Sequence, residues 1–307
     1  MNILLTGGAG FIGSHVAEAC LDAGHRVVVV DNLSTGNRDR VPKEAVFYEL
    51  DITRDDLGPV FRDEKIDVVN HHAAQVSVQD SFRDPIFDAK SNIFGTLQLI
   101  QNALSYQVAR IVFASTGGAL YGEMEGTPAN ESAIPDPKSP YAISKLTGEH
   151  YLDVLSHSHV LEPVVLRYAN VYGPGQNPLG EAGVVAIHCH RLCAGNAPII
   201  FGDGEQTRDF ISVRDVVSAN LKALEPGVSG TFNVGTGIET SINTLTGMLV
   251  RLSGLQVDID HQPAKPGELF RSAVDAARLR KTGWEPVQNL ENGLLETYDY
   301  FYRQARH

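Results

Sequence analysis

The chain has 307 residues, 43% of them hydrophobic and 20% charged, a composition typical of folded globular proteins and long enough for about two domains. The 25 basic residues face 37 acidic ones, and no basic tract interrupts the formal net charge of −12, so we expect neither nucleic acid nor an anionic membrane as a partner. Three cysteines without a CxxC pair argue against a disulfide framework, and no apolar run approaches the ~18 residues of a membrane span. Together with an N-terminus too short for a signal-peptide core, these features predict a soluble cytoplasmic protein.

In the first half, runs rich in Val and Ile alternate with amphipathic stretches. The predicted strands cover 3–6, 26–30, 46–49, 67–70, 110–114 and 164–167, and the predicted helices cover 11–23, 85–106 and 140–157. This alternation predicts an α/β fold with a parallel sheet covered on both faces. A Gly/Pro-rich break at 173–178 then introduces shorter elements. We therefore expect a first domain over 1–172 and a smaller substrate-binding domain over 173–307, with some segments after 205, such as 231–234, returning to the first sheet.

A glycine-rich turn, TGGAGFIG at 6–13, follows the first strand and leads directly into a helix. Glycines are needed where the backbone turns sharply against a pyrophosphate, and the N–H groups of the helix start then face the phosphates. Asp31 ends the second strand, 18 residues beyond Gly13, where a carboxylate binds the adenosine ribose and repels a 2′-phosphate. The pattern favours NAD over NADP. Asp51 and Ile52, beyond the third strand, are candidates for adenine contacts, with an ordinary turn as the alternative.

A second motif begins the helix over 140–157. Ser139 is suited to the N-cap and Pro140 to the first turn, and the four-residue spacing puts Tyr141 and Lys145 on one helix face. A free tyrosine has a pKa of ~10, but a neighbouring ammonium and a positive nicotinamide ring lower it. The phenolate then takes a hydroxyl proton as a general base. The alternative is an exposed Tyr/Lys pair, and the NAD pattern upstream favours the catalytic interpretation.

TGGAGFIG, Asp31 and YxxxK resemble the extended short-chain dehydrogenase/reductases over nearly the whole chain. STGGALYG at 115–122, LRYANVYG at 166–173, GDGEQTRDF at 202–210 and KPGE at 265–268 with Arg271 are similar to the UDP-glucose 4-epimerase branch. The resemblance implies a Rossmann doubly wound parallel sheet with a small C-terminal domain, NAD held through turnover, and an isomerase of class EC 5.1.3. UDP-glucose and UDP-galactose are the expected substrates. Tyr141 would deprotonate the sugar 4-hydroxyl while C4 gives hydride to the nicotinamide, and hydride would return to the other face of the 4-keto sugar.

The resemblance also implies site residues. For the cofactor they are Gly7, Gly10, Phe11, Ile12, Gly13, Asp31, Asn32, Ser34, Gly36, Asp51, Ile52, Ala73, Ala74, Gln75, Asn92, Tyr141 and Lys145. For the UDP-sugar they are Ser115, Thr116, Tyr141, Asn170, Val185, Arg208, Glu268 and Arg271. Arginine forks suit a diphosphate and supply the local positive charge that the acidic chain lacks.

The sequence departs from the family pattern in three places. The hydroxyl that bonds the sugar 4-oxygen falls on Gly117 when aligned on Tyr121-Gly122 and on Thr116 when counted from Tyr141. We expect Thr116, with Ser115 as the alternative. His72 stands where relatives have an apolar residue and is expected to be a packing variation. Ser272 stands where some relatives place a bulky tyrosine, which suggests that N-acetylhexosamine nucleotides fit.

One cluster, His188-Cys189-His190 with Cys193, suggests a metal site. Four soft ligands on one short helix cannot converge tetrahedrally, so we expect no metal and interpret the cysteines as small buried hydrophobes.

Two other functions compete with epimerisation. A sugar dehydratase or decarboxylase starts with the same oxidation, but relatives that dehydrate place Asp-Glu where this chain has Gly117 and Gly118. A catalytically silent NAD-binding regulator usually lacks the Tyr or the Lys. The sequence also leaves UDP-glucose, UDP-N-acetylglucosamine and UDP-glucuronate open as substrates. By resemblance we expect a homodimer formed by the helices over 85–106 and 140–157, although core packing is the alternative for their apolar residues.

Overall fold

The computed structural model describes residues 1–123, 128–157, 160–179, 183–264 and 269–306. Its strands, in chain order, are β1 (Asn2–Thr6), β2 (Arg26–Asp31), β3 (Val46–Glu49), β4 (Val68–His71), β5 (Arg110–Thr116), β6 (Glu162–Tyr168), β7 (Asn170–Tyr172), β8 (Ile199–Phe201), β9 (Thr207–Ser212), β10 (Gly230–Val234), β11 (Glu239–Ser241), β12 (Asp260–Gln262) and β13 (Arg271–Ser272). The strands predicted from the first half are all present, within a few residues at their ends.

The helices follow the amphipathic stretches. They are α1 (Phe11–Asp22), α2 (Gly58–Glu64), α3 (Val78–Arg83), α4 (Pro85–Ala89), α5 (Gly95–Ser105), α6 (Gly117–Leu120), α7 (Pro140–Ser156), α8 (Val184–Cys193), α9 (Val213–Ala223), α10 (Ile242–Ser253), α11 (Ala277–Arg280) and α12 (Leu290–Gln304). A 3₁₀ turn covers Arg38–Arg40, and a π-helical turn covers Lys90–Phe94 between α4 and α5. The single helix predicted over 85–106 therefore contains a change of helix type in its middle.

The main sheet has seven parallel strands in the order β10-β6-β5-β4-β1-β2-β3, which is the Rossmann order that the resemblance implied. Strand β1 is central, and its last residue, Thr6, pairs with Val30 on one side and His71 on the other. Because the strands run parallel, the loops after β1, β2, β3 and β4 all leave the sheet at its carboxyl edge. The predicted fold class is confirmed, including the return of 231–234 to this sheet.

By their contacts, the residues form two units. Unit one comprises Met1–Thr116, Pro137–Arg167 and Val217–Phe232, and unit two comprises Gly117–Asp136, Tyr168–Val216 and Asn233–His307. The domain division at 172/173 stays a prediction. In unit one, Leu4, Val69, Leu99 and Phe113 belong to a core of fully buried side chains.

Unit two has smaller sheets. Strands β11, β9 and β13 lie side by side with β7 also pairing with β9, and β12 pairs with β8. Its own hydrophobic core includes Tyr172, Cys189, Leu245 and Leu294. Within the described ranges, no helix is long and apolar enough to cross a membrane.

Candidate active site and cofactor site

The turn after β1 can be built only from glycine at its two ends. Gly7 has φ +72°, a conformation that side chains rarely adopt. A Cβ on Gly13 would lie 2.2 Å from the Gly7 carbonyl oxygen, so the turn closes directly on the first turn of α1. Gly10 is the N-cap of α1, and no side chain caps that helix start. The N–H groups of Phe11, Ile12 and Gly13 therefore begin a helix whose positive end is open to an anion.

The Asp31 carboxylate is buried at the end of β2 and lies beside this turn. Its Oδ2 accepts the Ala9 N–H at 2.9 Å, and its Oδ1 accepts the Leu33 N–H at 2.9 Å. A Cβ on Gly36 would lie 3.0 Å from Asp31 Oδ1, so the loop after β2 folds closely over the carboxylate. Each carboxylate oxygen retains a lone pair, which is what a ribose diol requires.

The loops after β2 and β3 are also joined by hydrogen bonds. Asn32 donates through Nδ2 to Asp51 at 3.2 Å and accepts the Ser34 N–H at 3.0 Å. Burial alone raises the pKa of Asp51, but hydrogen bonds from Thr53 and Asn32 outweigh it and hold the pKa below its usual value. The side chain of Ile52 is buried in the core of unit one.

The loop after β4 approaches the same edge. A Cβ on Gly7 would lie 2.6 Å from the Ala73 nitrogen, whose N–H donates to Thr6 Oγ1 at 3.3 Å. Ala74 is partly buried in this loop. Gln75 and Asn92 bind each other twice: the Gln75 N–H donates to Asn92 Oδ1, and Asn92 Nδ2 donates to the Gln75 carbonyl, both at 2.9 Å. The structure thus brings every predicted cofactor residue of the first four loops to one edge of the sheet.

Tyr141 and Lys145 lie on α7, which starts as the sequence predicts. Ser139 is the N-cap and accepts the Ala142 N–H at 3.2 Å, and Pro140 occupies the first turn. The Lys145 ammonium is buried, donates to the Ala114 carbonyl at 2.9 Å and lies 5.1 Å from the centre of the Phe113 ring. These two contacts fix Lys145 against β5.

Burial controls the protonation of this pair. It lowers the pKa of Lys145 to about 8, although Asp88 and Glu149 act in the opposite direction. Burial also raises the pKa of Tyr141 well above its ordinary value, and the negative charge of Asp88 adds to the rise. This direction is opposite to the one expected from Lys145 alone, because the loss of hydration outweighs one nearby cation. Without a further positive charge, Tyr141 stays a phenol at neutral pH.

The two candidate hydroxyls at the end of β5 differ in their surroundings. Ser115 Oγ donates to the Glu149 carboxylate inside unit one. Thr116 is the next residue on the strand, so its side chain points to the opposite face of the sheet. The Ser115 hydroxyl is therefore already engaged by the protein.

Unit two carries the predicted substrate residues Asn170, Val185, Arg208 and Arg271. Asn170, at the start of β7, has a buried Oδ1 with no hydrogen-bond partner among the described residues. Arg208, on β9, donates to the Thr207 carbonyl at 2.8 Å, and Arg271, on β13, donates through Nε to Glu239 at 3.0 Å. Val185 is buried in the core of this unit. Glu268 and the rest of the KPGE motif lie outside the described residues.

Sequence reasoning missed four buried polar residues beside Tyr141 and Lys145. Asp88 accepts a hydrogen bond from Ser144 at 2.6 Å, and Glu149 binds Arg167 through two nitrogens, the shorter contact being 2.6 Å. The sequence held a signal for both carboxylates. Glu149 follows Lys145 by four residues and Asp88 precedes Asn92 by four, so each lies on the same helix face as a predicted site residue.

The His188–Cys193 cluster sits on α8. Cys189 is fully buried in the core of unit two, and burial raises the pKa of its thiol. His188 donates through Nε2 to the Ile199 carbonyl at 3.0 Å. Over the described part of the chain, no three His, Cys, Asp or Glu side chains are grouped to hold a metal ion.

The Rossmann sheet, the glycine turn with Asp31, and Tyr141 four residues before Lys145 define a dinucleotide-dependent enzyme of the Tyr–Lys type. A family model described as the NAD dependent epimerase/dehydratase family matches residues 3–235. The UDP-glucose 4-epimerase of Mycolicibacterium smegmatis is 40% identical over 313 residues, which cover 100% of both chains. The chain therefore belongs to this family, the predicted resemblance is confirmed, and the cofactor is NAD.

Two solved structures are similar over almost the whole chain. The UDP-glucose 4-epimerase of Thermotoga maritima, solved with UDP-glucose, is 45% identical with a TM-score of 0.97 and covers 99% of each chain. The enzyme of the same name from Thermus thermophilus, solved in complex with NAD, is 42% identical with a TM-score of 0.94 and covers 98% of this chain and 99% of its own. The glycine turn, the uncapped start of α1 and the Asp31 carboxylate of this chain fit the pyrophosphate and ribose of NAD.

Proposed function

We propose that this chain is a UDP-sugar 4-epimerase that interconverts UDP-glucose and UDP-galactose. The observation that carries the proposal is the position of Tyr141 and Lys145 on one face of α7, in the same unit as the glycine turn and Asp31. Full-length relatives named UDP-glucose 4-epimerase support the choice of reaction.

Tyr141 is the general base and acid of the proposed reaction. Its phenolic oxygen takes the proton of the sugar 4-hydroxyl and returns a proton to the 4-oxygen after the keto sugar has turned over. Bound NAD supplies the hydride acceptor at C4 and a positive nicotinamide ring. That positive charge, added to Lys145, offsets the burial that keeps Tyr141 protonated in the chain alone.

Thr116 supplies the hydroxyl at the sugar 4-oxygen in this proposal. Ser115 is the weaker candidate because its hydroxyl donates to Glu149. We propose that unit one holds NAD and that unit two supplies the nucleotide contacts. Asn170 is suited to accept a hydrogen bond through its buried, unpartnered Oδ1, and Arg208 and Arg271 are suited to bind phosphate oxygens.

The direct test is an assay without added cofactor. The purified protein is incubated separately with UDP-glucose, UDP-N-acetylglucosamine and UDP-glucuronate, and the products are resolved by NMR of the anomeric protons. We expect UDP-galactose from UDP-glucose. A 4-keto-6-deoxy or decarboxylated product instead would establish the dehydratase or decarboxylase. That outcome is disfavoured because α6 begins with Gly117 and Gly118, which carry no acid or base.

A substitution separates the enzyme from a silent NAD-binding regulator. Replacing Tyr141 by Phe removes the general base, and we expect kcat to fall about 10²–10⁴-fold. Tyr151→Phe is the matched control, because it removes the hydroxyl of a half-exposed tyrosine on the same helix. Equal turnover of the two variants would refute the role of Tyr141.

UDP-N-acetylglucosamine is a second candidate substrate. Ser272 is buried, small, and donates to the Gly118 carbonyl at 3.1 Å, so it occupies little of the space that a tyrosine would fill. We expect measurable epimerisation of UDP-N-acetylglucosamine and its loss in Ser272→Tyr, with UDP-glucose still converted. Failure of the wild type to convert UDP-N-acetylglucosamine, with UDP-glucose turned over well, would remove this candidate.

We also propose a cytoplasmic homodimer. The helices α4 and α7, joined by the Asp88–Ser144 hydrogen bond, expose large apolar side chains that single chains rarely leave in water. These are Ile86 (80% exposed), Phe87 and Phe94 from the first helical stretch and Ile143 and Val154 from α7. Such a surface is self-complementary when it meets its own copy about a two-fold axis.

Light scattering after gel filtration tests the dimer. Ile86→Glu should yield the mass of one chain, because it buries a charge in the proposed interface. Val160→Glu is the control, since Val160 is 93% exposed and lies outside α4 and α7. A wild-type protein with the mass of one chain would contradict the proposal.

A further inference from the structure

The most unusual charge in unit one is the carboxylate of Asp88, which is fully buried on α4. It accepts three hydrogen bonds: from Ser144 Oγ at 2.6 Å, from Asn92 Nδ2 at 2.9 Å and from Gln75 Nε2 at 3.0 Å. A carboxylate group can accept several hydrogen bonds, and all three donors here are uncharged. These hydrogen bonds thus stabilise a negative charge without neutralising it.

The second buried carboxylate near Lys145 is different. Glu149 lies one turn after Lys145 on α7 and binds the Arg167 guanidinium through Nε and Nη2, at 3.0 and 2.6 Å. Its charge is therefore compensated by a cation. Among the described residues, the three donors to Asp88 include no cation, and the negative charge of Asp88 acts on Lys145.

The groups around Lys145 come from four elements. Strand β5 contributes the Ala114 carbonyl and the face of the Phe113 ring. His71 is the last residue of β4, and His72 follows it. Burial lowers the pKa of both histidines, so both are neutral at pH 7. The carboxylates are Asp88 from α4 and Glu149 from α7 itself, and the phenol is Tyr141.

We propose that Asp88 is a positioning residue for the proposed epimerisation: its buried charge keeps Lys145 an ammonium, and its bond to Ser144 fixes the turn of α7 that carries Tyr141 and Lys145. The role of Lys145 during turnover rests on the proposed function, whereas the effect of Asp88 on the protonation of Lys145 does not. The Gln75 and Asn92 side chains, which the sequence assigned to the cofactor, hold this carboxylate in place.

The test is the titration of Lys145 in protein labelled with ¹³C at lysine Cε, with Lys145→Arg used to assign the signal. In Asp88→Asn we expect the Lys145 midpoint to fall by about one pH unit or more, because a like-sized neutral amide removes the nearby opposite charge. Ser144→Ala is the matched control. It removes one hydrogen bond and keeps the charge, so its midpoint should stay close to the wild type.

The pH dependence of kcat/KM gives the second readout. In Asp88→Asn the alkaline limb should move to lower pH together with the Lys145 titration. A lower rate with both limbs and the titration unmoved would overturn the proposal and leave Asp88 a packing role only. If the protein converts no UDP-sugar while the Lys145 midpoint still moves, the proposed function fails and the role of Asp88 stands.

A second variant keeps the proposal testable if Asp88→Asn fails to fold. In Asp88→Asn the amide NH₂ group faces hydrogen-bond donors, which can destabilise the fold. Asp88→Ser is therefore the alternative variant, because its small hydroxyl leaves room for a water molecule that accepts from the three donors. The wild-type protein is also a test. A titration showing that Lys145 is a neutral amine at pH 7 with Asp88 intact would overturn the proposal.

Discussion

At the scale of single residues, the Glu149–Arg167 pair joins α7 to β6 inside unit one. Both side chains are less than a tenth exposed, and Glu149 also accepts the Ser115 hydroxyl. Removing two charges from water costs several kcal/mol per ion, which their attraction offsets only while both partners remain. Removing one member of the pair therefore destabilises the fold more than removing both.

Glu149→Gln should lower the free energy of unfolding by about 3–5 kcal/mol, because the buried Arg167 guanidinium loses the carboxylate charge that it contacts through two nitrogens. Urea denaturation followed by circular dichroism measures the change. Asp63→Asn is the control, since it breaks the exposed Arg62–Asp63 pair and should leave the midpoint unchanged. An equal effect of the two substitutions would show that burial of the pair is unimportant.

Lys145 and Tyr141 show what a local pattern reveals and what it hides. The N-cap serine, the proline and the four-residue spacing predicted the helix and the shared face correctly. The direction of the Tyr141 pKa was not predictable, because it depends on burial and on Asp88, 53 positions earlier in the chain. A field set by distant residues leaves no local trace in the sequence.

At the scale of elements, the β1–α1 turn depends on the absence of side chains. The Gly13 position is closed by the Gly7 carbonyl, a backbone atom that cannot rotate away. The turn and the start of α1 therefore form one rigid segment, and its binding of the pyrophosphate stays a prediction from the glycine spacing.

Gly13→Ala should weaken NAD binding by roughly tenfold or more, because the new Cβ must push the turn away from the pyrophosphate position. The measurement is calorimetric titration with NAD. Gly247→Ala is the matched control, since that glycine lies on α10 with open space around it and the change improves helix propensity. Unaltered NAD affinity in Gly13→Ala would contradict the assigned turn.

The π-helical turn is the element that the sequence did not predict. Apolar spacing over 85–106 fits one continuous helix, yet the structure changes helix type at Lys90–Phe94. Asn92 lies in this turn and donates to both Asp88 and the Gln75 carbonyl. A single wider turn alters the apolar period too little to be seen. The hydrogen bonds of Asn92 to Asp88 and to the more distant Gln75 carbonyl favour it.

At the scale of the whole molecule, each unit has its own hydrophobic core, and buried histidines link folding to pH. Burial lowers the pKa of His72 to about 3, of His188 to about 4, and that of His71 well below its ordinary value. In the unfolded chain these histidines take up protons near pH 6.5. Their contribution to stability is therefore present above pH 6.5 and is lost as the pH falls toward 4.

We expect the free energy of unfolding to fall by about 4 kcal/mol per pH unit below pH 6.5 if all three histidines take up a proton on unfolding. In His188→Gln, which can still donate to the Ile199 carbonyl, the slope should be shallower by about 1.4 kcal/mol per pH unit. Urea midpoints from pH 7 to pH 5 measure both slopes. Parallel slopes would show that His188 is already charged in the folded protein.

The sequence by itself determined the alternating elements, the glycine turn with Asp31, and Tyr141 and Lys145 on one helix face, because each depends on short-range spacing and backbone sterics. Only the tertiary structure decided which buried charges surround that pair. The Asp88 carboxylate on α4 accepts hydrogen bonds from the side chains of Gln75, in the loop after β4, and Ser144, on α7. Glu149 on α7 binds Arg167 on β6. The energy of a buried charge depends on what surrounds it in space, and that is set by packing between elements distant in sequence.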